Sequence, residues 1–253
     1  MSKPLKGRTV LITRPKSVSG AVVVALRRRG ATVIVSPLIK IAAPSSHAAV
    51  DRSLNSFSRY HAVVFTSSNA VESFFARARK ILGHIPKTSA MIYAVGRSTA
   101  AAVAVRSKGR WRCSTFPEDA RSAGLAKILR VPRAANVLIP RAERGLSLLP
   151  QALRKRGARV DVVSVYKTVP DTDGLKKFRS ALAFGADIAV FASGSAARAG
   201  ASDLKLSGAK AVAIGPTTAS VLRSLKIEPV VSKAPTPDAL AKAVILASKD
   251  LVP

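Results

Sequence analysis

The sequence predicts an α/β protein built as two similar parallel-sheet lobes, joined by two strap-like stretches. Three observations predict it. Short apolar runs that read as buried strands alternate with helical runs along the chain, which is the pattern of parallel α/β layers. The pattern then repeats: Val10-Leu11-Ile12-Thr13-Arg14 matches Val137-Leu138-Ile139-Pro140-Arg141, and Val63-Val64-Phe65-Thr66-Ser67 matches Ala189-Val190-Phe191-Ala192-Ser193. Further on, VGRSTA (95–100) matches IGPTTA (214–219), and Leu125-Ala126-Lys127 matches Leu240-Ala241-Lys242. Finally, VIVSPLIKIAAP (33–44) and VDVVSVYKTVP (160–170) each follow a helix that closes on RRRGA (27–31) or RKRGA (154–158). These two stretches are expected to cross between the lobes, with Tyr166 facing the cleft.

Taken in order, TVLIT (9–13) is a short apolar strand. A helix is expected from Ser17, with Val22, Val23 and Leu26 on its apolar face and Gly30 at its end. Residues 33–35 form the next strand, Pro37 turns the chain, and a helix is expected over 48–57. AVVF (62–65) reads as a buried strand, and Thr66-Ser67-Ser68-Asn69 after it suits the N-cap of a helix over 70–80. A strand over 91–95 leads through Gly96-Arg97-Ser98-Thr99 into a helix reaching Val105. An edge strand is expected over 111–115 and a last helix over 124–130, after which the repeat begins.

A chain of 253 residues with 48% hydrophobic content can bury an ordinary core, and its length suits two small domains. Its charge is lopsided: Lys+Arg 42 against Asp+Glu 13 gives +29. That excess speeds capture of a polyanion, whether nucleic acid, anionic membrane or a small polycarboxylate, without choosing among them. One cysteine, Cys113, excludes an internal disulfide framework and fits a reducing compartment, so a cytoplasmic protein is expected. The first residues lack a signal-type apolar stretch. The most apolar window, 181–197, contains Asp187, Gly185 and Gly194 and reads poorly as a membrane span.

Four hydroxyl-rich turns open helices after strands: 66–69, 96–99, 193–195 and 215–218. Such turns offer free N–H groups and the positive helix end to an anion, worth up to about 2 kcal/mol when partly buried. Capping alone also explains each one. Arg14 and Arg141 end matching strands, either to grip a carboxylate or as surface arginines. The glycines of a dinucleotide fingerprint and of a phosphate loop are missing, as is the Gly-x-Ser-x-Gly elbow of a serine hydrolase. His47, His61, His84 and Cys113 lack metal-ligand spacing. Glu118-Asp119 and Asp171-x-Asp173 sit in loop-like contexts, and Tyr60 and Tyr93 read as core. There remains a basic, cofactor-free site with one well-placed phenol. Tyr166 is read either as a proton donor to a leaving hydroxyl or as a strand aromatic with its hydroxyl on the backbone.

The ordered set VLITRP, AVVFTSSNAV, YAVGRSTA, VLIPRAERG, RGARVDVVSVYKT, DIAVFASGSA and AIGPTTA resembles the uroporphyrinogen-III synthase family along nearly the whole chain. The resemblance implies segment exchange: residues 1–36 with 170–253 in one α/β lobe, 42–163 in the other, and 37–41 and 164–169 as a two-stranded linker. It implies a lyase of porphyrin and haem biosynthesis that closes hydroxymethylbilane to uroporphyrinogen III, with loss of water and inversion of ring D. Neither a metal nor an organic cofactor is implied. On this resemblance Tyr166 is the catalytic residue. Arg14, Ser67, Ser68, Asn69, Gly96, Thr99, Arg141, Ser193, Gly194, Ser195, Gly215, Thr217 and Thr218 are expected to bind substrate. The expected partners are the polycarboxylate substrate and, transiently, the upstream bilane-forming enzyme. The chain is expected to act as a monomer, without membrane or nucleic acid. A non-catalytic anion- or nucleic-acid-binding basic α/β protein is the alternative.

Two local departures stand against the resemblance, and the +29 charge also exceeds what is expected of the family. A glycine is usual near Lys226, and the Ser193 turn is followed by Ala196-Ala197-Arg198 without a bulky apolar residue.

Overall fold

The computed structural model describes residues 3–115, 124–125, 129–145, 147–249 and 251. In chain order its elements begin β1 (Thr9–Ile12), α1 (Gly20–Arg28), β2 (Thr32–Val35), β3 (Ile39–Ala42), α2 (Ala48–Asn55), β4 (Ala62–Phe65) and α3 (Ser68–Leu82). They continue β5 (Met91–Ala94), α4 (Arg97–Arg106), β6 (Cys113–Thr115), β7 (Asn136–Ala142), α5 (Leu148–Lys155) and β8 (Arg159–Pro170). The last are α6 (Thr172–Ala183), β9 (Ile188–Phe191), α7 (Gly194–Ser207), β10 (Lys210–Ala213), α8 (Pro216–Ser224), β11 (Val230–Val231) and α9 (Pro237–Lys249).

The chain divides into two compact units, Met1–Lys40 with Val169–Pro253, and Ile41–Thr168. The first unit holds a five-stranded sheet in the order β11-β10-β9-β1-β2, with every neighbouring pair parallel. The second sheet runs β3-β8-β7-β4-β5-β6. Without β3, the two orders superpose strand for strand: β1 on β7, β2 on β8, and β9, β10 and β11 on β4, β5 and β6. The internal repeat is therefore a repeat of topology, with the first two strands of one unit corresponding to the last two of the other.

Continuous apolar runs form these strands because both faces of each sheet are covered. β4 (AVVF) and β9 (IAVF) are buried at every position. In the first unit, Val22 and Leu26 of α1 join Leu240 and Val244 of α9 over Val10 and Ile12. On the opposite face Phe178, Ala197 and Leu222 pack with Leu11 and Phe191. In the second unit, α2 and α3 bury Leu54, Phe74 and Phe75 with Phe65 and Leu138. There the other face gathers Leu125, Leu129, Leu149 and Leu153 over Val64, Val137 and Ile139.

Several boundaries differ from the sequence expectation. A 3-10 turn over Lys16–Val18 precedes α1, which starts at Gly20. The helix expected over 48–57 stops at Asn55, and a 3-10 turn over Phe57–Arg59 brings the Phe57 ring against Trp111, with centroids 5.4 Å apart. Trp111 thus belongs to the core, its Nε1 donating to Pro86 O at 3.1 Å, and the edge strand begins only at Cys113. Of the helix expected over 124–130, Gly124 and Leu125 are helical; residues 126–128, and Glu118-Asp119, lie outside the described residues. Asp171 caps α6 by accepting from Gly174 N, so it has a structural job.

Both departures acquire a physical meaning. Lys226 has φ 59°, the left-handed conformation that glycine adopts without cost, in the turn that closes α8. Small residues along α7 let it pack closely: a Cβ on Gly200 would stand 2.6 Å from Leu38 Cδ1, 3.1 Å from Phe178 Cε1 of α6 and 3.3 Å from Phe191 Cε1 of β9. Bulk comes from those neighbours instead.

Candidate active site

In both units the sheet order reverses beside the strand pair β1/β9 or β7/β4, and ligands of open parallel sheets bind outside the carboxyl ends of the strands at such a point. In the second unit a cavity of about 230 Å³ lies there. Its lining includes Thr66, Ser67, Arg141, Arg144, Gly145 and Tyr166, with Ile139, Leu149 and Pro150 as apolar wall.

Each polar member is placed by a local cause. Ser67 follows β4 and is the N-cap of α3: its Oγ accepts from Ala70 N at 3.1 Å. Tyr166 lies in β8, is 8% exposed, and its hydroxyl stands 3.3 Å from Ser67 Oγ. The phenol thus meets a side-chain hydroxyl at the strand ends. Arg141 comes from β7, and burial, followed by the charge of Arg154, pulls its guanidinium below the ordinary value. It remains a cation at any working pH. Gly145 matters through its missing side chain, since a Cβ there would stand 3.2 Å from Arg141 Cδ.

The other expected residues of this unit sit nearby without lining the cavity. Ser68 and Asn69 open α3. Gly96 is the N-cap of α4 in extended conformation, φ −178°, and Thr99 is buried in the first turn. In the first unit Arg14 follows β1, with burial lowering its pKa. Ser193 caps α7 through Ala196 N at 3.1 Å, ahead of Gly194 and Ser195. Gly215 is the N-cap of α8, Thr217 is exposed within it, and Thr218 is buried. All of these stand at the carboxyl edge of the first sheet. Arg144 and Gly145 were not singled out from the sequence, although both lie in the VLIPRAERG run beside Arg141.

Other chemistry finds no foothold among the described residues. No group of three His, Cys, Asp or Glu side chains could hold a metal ion. Burial pushes the Cys113 thiol up to about 11, far from a nucleophilic thiolate. Tyr60 and Tyr93 are core, as expected; Tyr60 donates to Asp161 Oδ2 at 2.7 Å and Tyr93 to Arg130 O at 3.0 Å. No described helix is long and apolar enough to cross a membrane.

The family described as uroporphyrinogen-III synthase HemD matches residues 20–242. The chain belongs to the uroporphyrinogen-III synthase family. A uroporphyrinogen-III synthase of Synechococcus elongatus is 30% identical over 189 residues, 71% of this chain and 69% of that protein. The porphyrin biosynthesis protein HemD of Ruminiclostridium josui is 29% identical over 95% of this chain, which spans about half (48%) of that protein's length. Among solved structures, a mutant uroporphyrinogen III synthase of Thermus thermophilus shares the fold. Its TM-score is 0.69 at 21% identity, covering 96% of this chain and 99% of that one. Membership makes this uroporphyrinogen-III synthase relative an enzyme of tetrapyrrole biosynthesis, and none of these matches favours the nucleic-acid-binding alternative.

Proposed function

We propose that the chain closes hydroxymethylbilane to uroporphyrinogen III, and that Tyr166 is the proton donor to the departing hydroxyl. The observation that carries this reading is the Tyr166 hydroxyl 3.3 Å from Ser67 Oγ, in a cavity that Arg141 and Arg144 also line. Either hydroxyl can donate in that contact; when the Ser67 O–H points to the Tyr166 oxygen, the phenolic proton is left for a ligand.

The chemistry asks for this. The C–O bond of the terminal hydroxymethyl group breaks, its electron pair leaves with oxygen, and a proton from Tyr166 completes a water molecule. The carbon left behind is stabilised by the lone pair of its pyrrole nitrogen. It then bonds to the last ring at the α-carbon that already carries a bridge. The older bridge bond at that carbon breaks, and the released bridge carbon rebonds at the ring's free α-carbon. This second α-carbon gives up its proton, so the ring is inverted as the macrocycle closes. The bilane also closes without help to the uninverted ring, so the protein's greater task is to hold the conformer that inverts the last ring. Fixed cations suit a substrate with eight carboxylates, and Arg141 grips a carboxylate through its planar fork. No metal or organic cofactor is called upon.

Arg14, Ser193, Gly194, Ser195, Gly215, Thr217 and Thr218 would hold further carboxylates at the strand ends of the first unit, as would Ser68, Asn69, Gly96 and Thr99 in the second. Residues 37–41 and 164–169 would be the linker, with segment exchange between the halves. A cytoplasmic monomer that receives its labile substrate from the upstream bilane-forming enzyme completes the reading.

The test is conversion of freshly made hydroxymethylbilane, with the ring isomers separated after oxidation. Type III product is expected from the parent protein, and type I at the spontaneous rate would overturn the reading. Tyr166→Phe should lower kcat by about 100-fold with little change in stability. Undiminished turnover would remove Tyr166 as the acid.

A further inference from the structure

The two units carry the same βαβ start, β1-α1-β2 and β7-α5-β8, and pair it in the same register. Thr9 faces Thr32 and Asn136 faces Arg159, an offset of 23 positions in both. In the first unit that offset holds to the end of the pair, Ile12 facing Val35. In the second it holds from Asn136 to Arg141, which faces Ser164, and then breaks: Ala142 faces Tyr166. Val165 is the extra residue of a β-bulge.

The bulge decides which way Tyr166 points. Successive strand residues alternate between faces. Val160 and Val162 pack on the core that holds Val137 and Ile139, whereas Val163 and Val165 pack on the core that holds Phe65 and Leu138. Unbroken alternation would send Tyr166 with Val160 and Val162. It lies instead with Val163 and Val165, on the face of its pairing partner Ala142. A single inserted residue has turned the side chain to the other face, the re-aiming that bulges produce near functional sites. Only on this face does the hydroxyl reach Ser67.

A bulge at the end of a strand needs something to hold it, because the ladder is broken there. The next residue of β7's path supplies it. Glu143 N donates to Tyr166 O at 2.8 Å, directly after the bulge. The Glu143 carboxylate accepts from Ser45 N at 3.0 Å, and Lys167 Nζ donates to Ser45 Oγ at 3.4 Å. The loop at Ser45 is thereby laced to both residues that flank the Tyr166 carbonyl.

We infer that Glu143 is a positioning residue: its main-chain N–H and its carboxylate together hold the Val165 bulge in the register that aims the Tyr166 hydroxyl at Ser67. The inference deepens the reading of Tyr166 as proton donor and rests on it for its effect on turnover, but not for its effect on the tyrosine ring. The Ser45 N–H bond also holds the Glu143 carboxyl below the ordinary carboxylate range, which keeps it an acceptor.

The test uses the full chain grown with 3-fluorotyrosine. Its three tyrosines give three fluorine resonances, and Tyr166→Phe identifies the one that matters. Glu143→Ala should shift or broaden the Tyr166 resonance and leave those of Tyr60 and Tyr93 in place. It should lower kcat by about 10-fold while KM stays within about twofold, the mark of a lost transition-state arrangement. Glu143→Gln keeps a carbonyl acceptor for Ser45 N–H and should retain the parent spectrum and most of the turnover. In a Tyr166→Phe background, Glu143→Ala should cost nothing more. An unmoved Tyr166 resonance in Glu143→Ala, or a further loss in the double variant, would overturn the inference. If Tyr166→Phe itself turns over like the parent, the donor reading falls, and the resonance alone decides whether Glu143 holds the ring.

Discussion

Ser67 and Ser193 stand at matching places and do the same local work, each accepting from the backbone N–H three residues on at 3.1 Å. They differ in what else they touch, because only Ser67 faces a phenol. Ser67→Ala and Ser193→Ala should therefore each cost about 1 kcal/mol of stability, the ordinary worth of an N-cap. Denaturant melts of both, set beside bilane turnover, separate the two roles: Ser67→Ala should lose turnover beyond what its stability explains. A turnover loss in Ser67→Ala no larger than its loss of stability explains would mean that the Tyr166 contact contributes nothing of its own. Residue types in turns were legible in the sequence for the same reason, since hydroxyls cap helices whatever else they do. The contribution of Gly145 was not, because its value is the space beside Arg141, and a missing Cβ signals nothing until the arginine is placed. Lys226 is the reverse case, a departure visible in the sequence whose meaning waited for its φ of 59°.

Strands buried on both faces announce themselves as apolar runs, so β1, β4 and β5 were found nearly to the residue. Register does not show in a run of valines. β8 extends for twelve residues, through the stretch read as linker, and its bulge leaves no mark in VDVVSVYKTVP. The helix α6 offers a sharper instance of a hidden constraint. Gly174 lies in its first turn, and a Cβ there would overlap the carbonyl oxygen of Pro37. Ser36 Oγ also donates to Gly174 O at 2.6 Å, so the chain leaving β2 is fastened to the start of α6 across a long interval of sequence. Backbone against backbone cannot yield as a flexible side chain can. Gly174→Ala should cost about 2 kcal/mol or more, despite alanine's better helix propensity. Thermal melts give the answer, and a variant that melts with the parent would show that the close approach relaxes freely.

At the scale of the whole molecule, the repeat is legible as four matched motifs, but its wiring is not. Contiguous halves would be the simpler guess, whereas the compact units are Met1–Lys40 with Val169–Pro253 and Ile41–Thr168. Contacts at long sequence separation decide this, and pattern reading does not see them.

Net charge, by contrast, is fully present in the sequence, and the structure constrains its meaning. Ion pairs such as Asp51 with Arg77 and Glu228 with Arg223 consume one arginine for each acid, so they leave the +29 excess in place. For a substrate with eight carboxylates that excess is a long-range attraction, screened over about 10 Å at 0.1 M salt and about 3 Å at 1 M. Raising salt from about 50 to 500 mM should then lower kcat/KM for hydroxymethylbilane by about 10-fold, mainly through KM, with kcat changing less than about twofold. Spontaneous closure to the type I ring, followed in the same buffers without protein, corrects for any effect of salt on the bilane itself. A kcat/KM indifferent to salt would confine substrate capture to close contacts such as Arg141, and the surplus cations would then serve something other than this reaction.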